Sequence, residues 1–430
     1  MQSFRGAIHS FFKRNDKFFI IGLILISFLY LFVRLYHLNN LIGFRLDQGI
    51  HLLETKNMFD SKKISLVGPM VTSKSFMGRN FFIGANYYYV LGIIGLISNW
   101  SPLTVTILFI LIEFVFYLFF IFFLKKKFNP FWALLTFPFL SLSPYLIIHS
   151  RFFWNPHLLI PLSILAILFS EKYLSKKQNK YLFLVSFFWG FAFACHYSAV
   201  FWGLLMIFLL FKSKQWKSIK AYFIILIGFF LGNLPFFIFE MRHSFYNIKT
   251  LLYVITHSSH GGDLTSHYFV FSLLIFSIFI LLSLLQKNKN KKVANIILII
   301  IFISLSLIQL KIFKNYAPLD VISSWNYPEQ QQVADLIVKN GCPQNFNIAA
   351  TIQGDTRFYD LRYFLNLKKC NPMSVEEYPN AQKLFVVAPV SRPIENETVW
   401  EVSSFQPFEV VQKTQINDQI ILFELNKKSK

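Results

Sequence analysis

Apolar stretches long enough to cross a bilayer follow one another through the N-terminal part of this chain, and that succession constrains its fold more than any other feature. They occupy 18–38, 103–124, 131–148, 156–170, 181–195, 198–211, 221–240, 267–285 and 293–310. A hydrocarbon layer ~30 Å thick takes about 20 helical residues, so the shorter stretches must borrow flanking residues or tilt. Lipid offers backbone N–H and C=O groups no partner, so each stretch is expected to be a helix. A single globular fold in water is excluded.

A further stretch at 83–98 decides the topology. It is short, carries glycines and is rich in Tyr, a residue that prefers the headgroup level. Charge discriminates between the two possibilities. The net charge of +21 lies entirely in residues 1–310, with 29 Lys/Arg against 8 Asp/Glu, whereas 311–430 holds 13 of each. If 83–98 does not cross, loops 1–17, 125–130, 171–180, 212–220 and 286–292 share the N-terminal side and hold 19 Lys/Arg; the longer opposite loops hold 10. If it crosses, the basic loops fall opposite the basic N-terminus. The positive-inside rule selects the first arrangement. The sequence therefore predicts nine spans, a cytoplasmic N-terminus at 1–17, a membrane domain over 18–310 and an outer C-terminus. Stretch 83–98 is then an interfacial or re-entrant helix within the outer loop 39–102. No cleavage signature follows the first span, which is expected to stay as an anchor. The basic residues sit in short loops, not on one folded face, so nucleic acid is not an expected partner.

The tail 311–430 changes character. PEQQQVADLIVKNG reads as an amphipathic helix ending at Gly341, and RFYDLRYFLNL as a second helix. FNIAATIQ, KLFVVAPV and QIILFEL read as strands, giving a small α/β domain outside the membrane. Cys342 and Cys370 both lie in this tail, free to pair in an oxidising compartment or to remain thiols; Cys195 lies in a span and reads as packing.

The candidate chemistry gathers in outer segments. Asp47 opens an amphipathic helix just past the first span, with Gln48 and His51 on its first turns and Glu54 at i+7. Asp47 reads either as a helix N-cap or as a carboxylate at the rim of a membrane cavity, able to act as a base or a metal ligand. HSRFFWNPH, 149–157, is a short outer turn in which Arg151 can snorkel to headgroup phosphates. In IFEMRHSFYN, 239–247 with the Ile before it, Glu240 can pair with Arg242, and His243 follows. His257, His260, Asp263 and His267 have a spacing able to hold a metal, but read better as a solvated loop.

Taken in order, these pieces resemble the GT-C superfamily of membrane glycosyltransferases, near the protein O-mannosyltransferases and the lipid A aminoarabinose transferase. Arg34 at the end of the first span precedes Leu46-Asp47-Gln48-Gly49, which looks like an Asp-Glu-Gly motif with Gln48 in place of Glu. Gly84-Ala85-Asn86-Tyr87-Tyr88-Tyr89, Ser150-Arg151, Gly190-Phe191-Ala192 before a helix break near Cys195 and His196, and Phe239-Glu240-Met241-Arg242-His243 follow. The resemblance implies a mainly α, polytopic bundle of GT-C type. It also implies inverting transfer of a sugar from a polyprenyl-phosphate carrier to an acceptor hydroxyl of a protein, lipid or wall polymer. Asp47 would be the base, with Gln48, His51, Glu54, Arg79, Arg151, Asn155, Glu240, Arg242 and His243 contacting substrate. Arg242, Arg151 and Arg79 or Lys74 would meet the departing phosphate. Much of the family carries a second carboxylate after the Ser-Arg pair; here Asn155 and His157 stand instead, so no cofactor and no metal are expected. Rival readings are a transporter or flippase, and an inactive scaffold. No internal repeat supports a transporter, and Glu113 is the single mid-membrane acid.

Overall fold

The computed structural model describes residues 2–70, 80–257, 266–287, 291–316, 324–352 and 354–428. They gather in two compact units. One, the membrane unit, comprises Met1–Leu35, Lys62–Ile93 and Ile107–Pro318; the other, the sheet unit, comprises Tyr36–Ser61, Ile94–Thr106 and Leu319–Lys430.

Among the described residues, three helices are long and apolar enough to cross a membrane: Asp16–Leu35, Pro102–Lys127 and Asn155–Lys176. Two further pairs qualify together but are bent, Pro130–Leu142 with Pro144–Ser150 by 58° and Ile219–Gly232 with Leu234–Arg242 by 82°, giving up to five. Shorter apolar helices, Asn179–Cys195, Tyr197–Lys212, Val270–Gln286 and Asn295–Lys311, coincide with the other four predicted stretches. The helix Asn86–Ile97 has 12 residues. At 1.5 Å per residue it rises ~18 Å, too short for ~30 Å of hydrocarbon.

Small residues set the tightest helix contact in the membrane unit. A Cβ on Gly190 would come 2.1 Å from the Phe229 carbonyl oxygen, and one on Gly232 would come 2.1 Å from that of Phe187. Helices Asn179–Cys195 and Ile219–Gly232 therefore touch backbone to backbone, the kind of approach that stabilises helices where lipid removes the hydrophobic drive.

The bend at residue 143 has an identifiable cause. Pro144 has no N–H, so the Leu140 carbonyl loses its i+4 donor. Arg34, fully buried, supplies the replacement: Nη2 donates to Leu140 O at 3.2 Å and Nη1 to Ser141 O at 2.6 Å. Its guanidinium also lies 3.7 Å over the Tyr30 ring. A cation thus closes a broken helix from a neighbouring one.

Six strands are present among the described residues. In the membrane unit, β1 (Val67–Met70) pairs antiparallel with β2 (Phe82–Gly84). The sheet unit contains β3 (Phe346–Ala350), β4 (Lys383–Pro389), β5 (Phe408–Gln415) and β6 (Ile420–Lys427) in the order β3-β4-β6-β5. β3 and β4 are parallel and the other two pairings antiparallel. Leu384, Val386, Phe423 and Leu425 point into a core shared with Val402 and Phe405. The predicted tail helices are Tyr327–Val338 and Tyr359–Leu367. Glu329 accepts the Asn326 N–H at 3.1 Å at the start of the first, and Gly341, at φ +94°, follows its end. Cys342 and Cys370 are joined by a disulfide.

Candidate active site

The helix expected to begin at Asp47 runs Leu46–Asp60. Its N-cap is Arg45, whose side chain makes no capping bond, so the cap reading of Asp47 is corrected. Asp47 instead occupies the first turn, where the positive end of the helix dipole favours a carboxylate. It is exposed, as is Glu54 two turns on, while Gln48 and His51 are buried. Sequence reasoning placed all four together; the helix separates them into an open face with two acids and a closed face with an amide and an imidazole. Burial pushes His51 down to about 3, so the ring is neutral near pH 7 and does not supply a cation.

The start of this helix is held from within the sheet unit. Gln330 Nε2 donates to Phe44 O at 2.9 Å and to Asp360 Oδ2 at 3.1 Å. Trp325 Nε1 donates to the same Asp360 oxygen at 3.1 Å. Asp360 is fully buried, so these donors meet its desolvation cost. Gly49 lies against the backbone of Tyr359: an added Cβ would sit 2.7 Å from its carbonyl carbon and oxygen. The segment Phe44–Gly49 is thereby fixed on both sides of Asp47.

The remaining sequence-predicted residues belong to the membrane unit. Arg151 is 4% exposed and donates from Nη2 to Val33 O at 2.8 Å, which replaces the snorkelling expectation with a tie between its turn and the first helix. Burial, and after it the charge of Arg34, lowers Arg151 to about 10, still a cation at neutral pH. Asn155 is buried and donates to Cys195 O at 2.8 Å, where the helix ends and His196 turns extended as expected. Two residues on, Tyr197 OH donates to Phe82 O at 2.6 Å, and Phe82 N–H to Asn247 Oδ1 at 3.0 Å.

That path ends at Glu240, which is fully buried. Its carboxylate accepts from Asn247 N–H at 3.1 Å, Asn247 Nδ2 at 2.9 Å and Ile248 N–H at 3.1 Å, capping the helix Tyr246–His257. The expected pair with Arg242 is absent among the described residues, since i and i+2 on a helix face apart. Arg242 and His243 are exposed, and the His243 ring stacks on Phe239 at 4.1 Å. Arg79, Lys74, His260 and Asp263 lie outside the described residues. Among the described residues no three His, Cys, Asp or Glu side chains gather as a metal site. Sequence reasoning missed Arg45, Gln330, Asp360 and Asn247. The last had a signal, an Asn at a helix start, while the others act through tertiary contacts that no local pattern encodes.

Comparison with known proteins adds the following. Residues 86–239 match the family model for dolichyl-phosphate-mannose-protein mannosyltransferase. No curated protein matches the chain. Among solved structures, ArnT from Cupriavidus metallidurans bound to undecaprenyl phosphate is similar with a TM-score of 0.53 at 9% identity, over 94% of this chain and 97% of that one. The same protein in the apo state gives 0.50 at 11%, over 95% and 97%. The family match lies over the central helices, and the likeness over nearly the whole chain shows that this chain shares the fold of ArnT.

Proposed function

We propose that this chain is an inverting glycosyltransferase that moves a sugar from a polyprenyl-phosphate carrier to an acceptor hydroxyl on the outer face of the membrane. The observation that carries the reading is the exposed Asp47 carboxylate on the first turn of a helix whose start is pinned by Gln330 and Gly49. The fold likeness to an enzyme crystallised with undecaprenyl phosphate supports the carrier, and the mannosyltransferase family model supports the reaction class.

In the proposed step the acceptor oxygen attacks the anomeric carbon while its proton passes to an Asp47 oxygen. The bond from the anomeric carbon to the phosphate oxygen breaks, and polyprenyl phosphate departs with the bonding pair. A positioned base contributes ~10²–10⁴ in rate. Arg242, exposed at the end of the helix Leu234–Arg242, is assigned to the phosphate charge. Arg151, Asn155 and Glu240 are assigned to holding the outer segments in place, because their polar atoms are engaged with backbone. Nine spans, an inner N-terminus and an outer tail complete the reading; the basic loops and the Cys342–Cys370 disulfide support it. The stretch after Arg151 offers Asn155 and His157 where a second carboxylate would stand, which favours transfer without a metal.

The test is transfer of labelled sugar from polyprenyl phosphate in membranes. Asp47→Asn is expected to reduce kcat ~10²-fold or more, with donor KM little changed, and the wild-type rate to survive EDTA. Full transfer by Asp47→Asn would remove the base role, and movement of intact lipid-linked sugar without transfer would favour a flippase.

A further inference from the structure

A groove of about 540 Å³ opens in the sheet unit, lined among others by Arg45, Ser324, Trp325, Ser391, Asp418 and Gln419. Its size falls within the ~300–1,000 Å³ range of small-molecule sites. Its position is the informative part. Arg45 is the N-cap of the Asp47 helix, so the groove wall reaches to within two residues, at most ~7 Å of chain, from the proposed base. A second lining residue is coupled to the same place. Trp325 is hydrogen-bonded through Asp360 and Gln330 to the carbonyl of Phe44, the residue before Arg45.

The lining narrows what the groove takes. Arg45 and Asp418 oppose each other in charge, so no cationic excess suits a phosphate. The strand ends at its rim are already paired: Val390 N–H donates to Gln419 O at 2.9 Å, and Gln419 and Ile420 N–H donate to Asn417 Oδ1, each at 3.0 Å. An extended peptide adding to a sheet edge finds no free ladder at this rim. What remains for recognition is two hydroxyls, an amide, a carboxylate and a guanidinium set among apolar side chains, Ile352, Val390 and Ile420 with them, which meet the hydroxyls of a sugar with both donors and acceptors and its C–H faces with apolar surface.

The geometry points to this groove as the acceptor subsite, seating an oligosaccharide chain whose terminal hydroxyl is presented to Asp47. This rests on the transferase reading above and adds the acceptor class to it. The step is the one already given, with the hydroxyl supplied by the seated glycan.

The test uses the full chain in detergent micelles and three probes: the β-1,4-linked tetramer of N-acetylglucosamine, mannotetraose and maltotetraose. Saturation-transfer NMR is expected to detect at least one. Asp418→Asn with Gln419→Ala, or Ser391→Trp to fill the groove, is expected to weaken that probe ~10-fold, the loss of one or two hydrogen bonds. Asp60→Asn, exposed on the far end of the same helix, should leave it unchanged, as should thermal unfolding of each variant. Failure of all three probes to bind, or binding indifferent to both groove variants, overturns the subsite. Sugar transfer from labelled polyprenyl phosphate is read separately. If wild-type protein transfers nothing, the enzymatic reading falls while glycan binding still decides the groove. If groove variants transfer to glycan with unchanged acceptor KM, or transfer to an unglycosylated peptide depends on the groove, the glycan assignment falls while the enzymatic reading stands.

Discussion

Gly49 follows Asp47 by two residues and has no room for a side chain. A methyl group there would meet the Tyr359 carbonyl at 2.7 Å and the Asp360 nitrogen at 2.8 Å, all backbone atoms with little freedom to retreat. Gly49→Ala is therefore expected to push the helix Leu46–Asp60 off its seat, at a cost of ~1–3 kcal/mol typical of overpacking. Thermal unfolding in detergent should register the loss, and transfer activity should fall with it, while Asn57→Ala, exposed on the same helix, leaves stability unchanged. An unchanged midpoint for Gly49→Ala would mean the two helices do not meet this closely. At this scale the sequence was partly legible. Leu46-Asp47-Gln48-Gly49 could be singled out from its resemblance, and a helix start at 46–47 from its pattern. The closed side of that helix was not legible, because nothing local says that His51 is buried or that Gly49 abuts a tail helix some 310 residues later. Arg151 shows the same limit: an arginine near a membrane boundary suggested phosphate, whereas its guanidinium is engaged by the Val33 carbonyl.

Elements were legible where one period dominates. All nine apolar stretches are helical, the tail strands at 346–350 and 383–389 lie within the segments read as strands, and the strand 420–427 runs two residues past its own. β5 escaped notice because it is an edge strand, largely exposed, and its register shifts between Val410 and Gln412, which breaks the period of two. The bends at 143 and 233 were likewise hidden, since a hydropathy average runs through a proline that interrupts the helix ladder. The disulfide is the element-scale feature with the clearest consequence. It closes a segment of separation 28 between the helix Tyr327–Val338 and the residue after Lys369, spanning β3 and the helix Tyr359–Leu367. Chain-entropy reasoning gives roughly 3–4 kcal/mol for a loop of this size. Cys342→Ser with Cys370→Ser, or reduction, should lower the unfolding midpoint of the tail while leaving the membrane helices' circular dichroism intact. A midpoint that does not move would place the tail's stability in its apolar core instead.

At the scale of the whole molecule the compact units do not follow chain order. The sheet unit joins Tyr36–Ser61 and Ile94–Thr106 to Leu319–Lys430, so a segment just after the first membrane helix shares a unit with the tail. Asp60 and Lys413 belong to that one unit, and a folded unit with no complete spanning helix among its described residues cannot straddle a bilayer. The number of crossings between them must then be even. Nine spans with 83–98 lying at the interface satisfies this; a tenth crossing at 83–98 does not. Charge predicts which side they share, because the basic loops fall opposite. With Asp60→Cys, Lys413→Cys and Lys177→Cys made singly in intact cells, a membrane-impermeant maleimide is expected to label the first two, and the third only after permeabilisation. Native thiols do not interfere, since Cys342 and Cys370 are paired and Cys195 is buried. Labelling of Asp60→Cys and Lys413→Cys from opposite sides would break the parity and the sheet unit with it. Labelling of Lys177→Cys alone would keep the parity but invert the molecule, putting Asp47 in the cytosol and ending the proposal of transfer at the outer face.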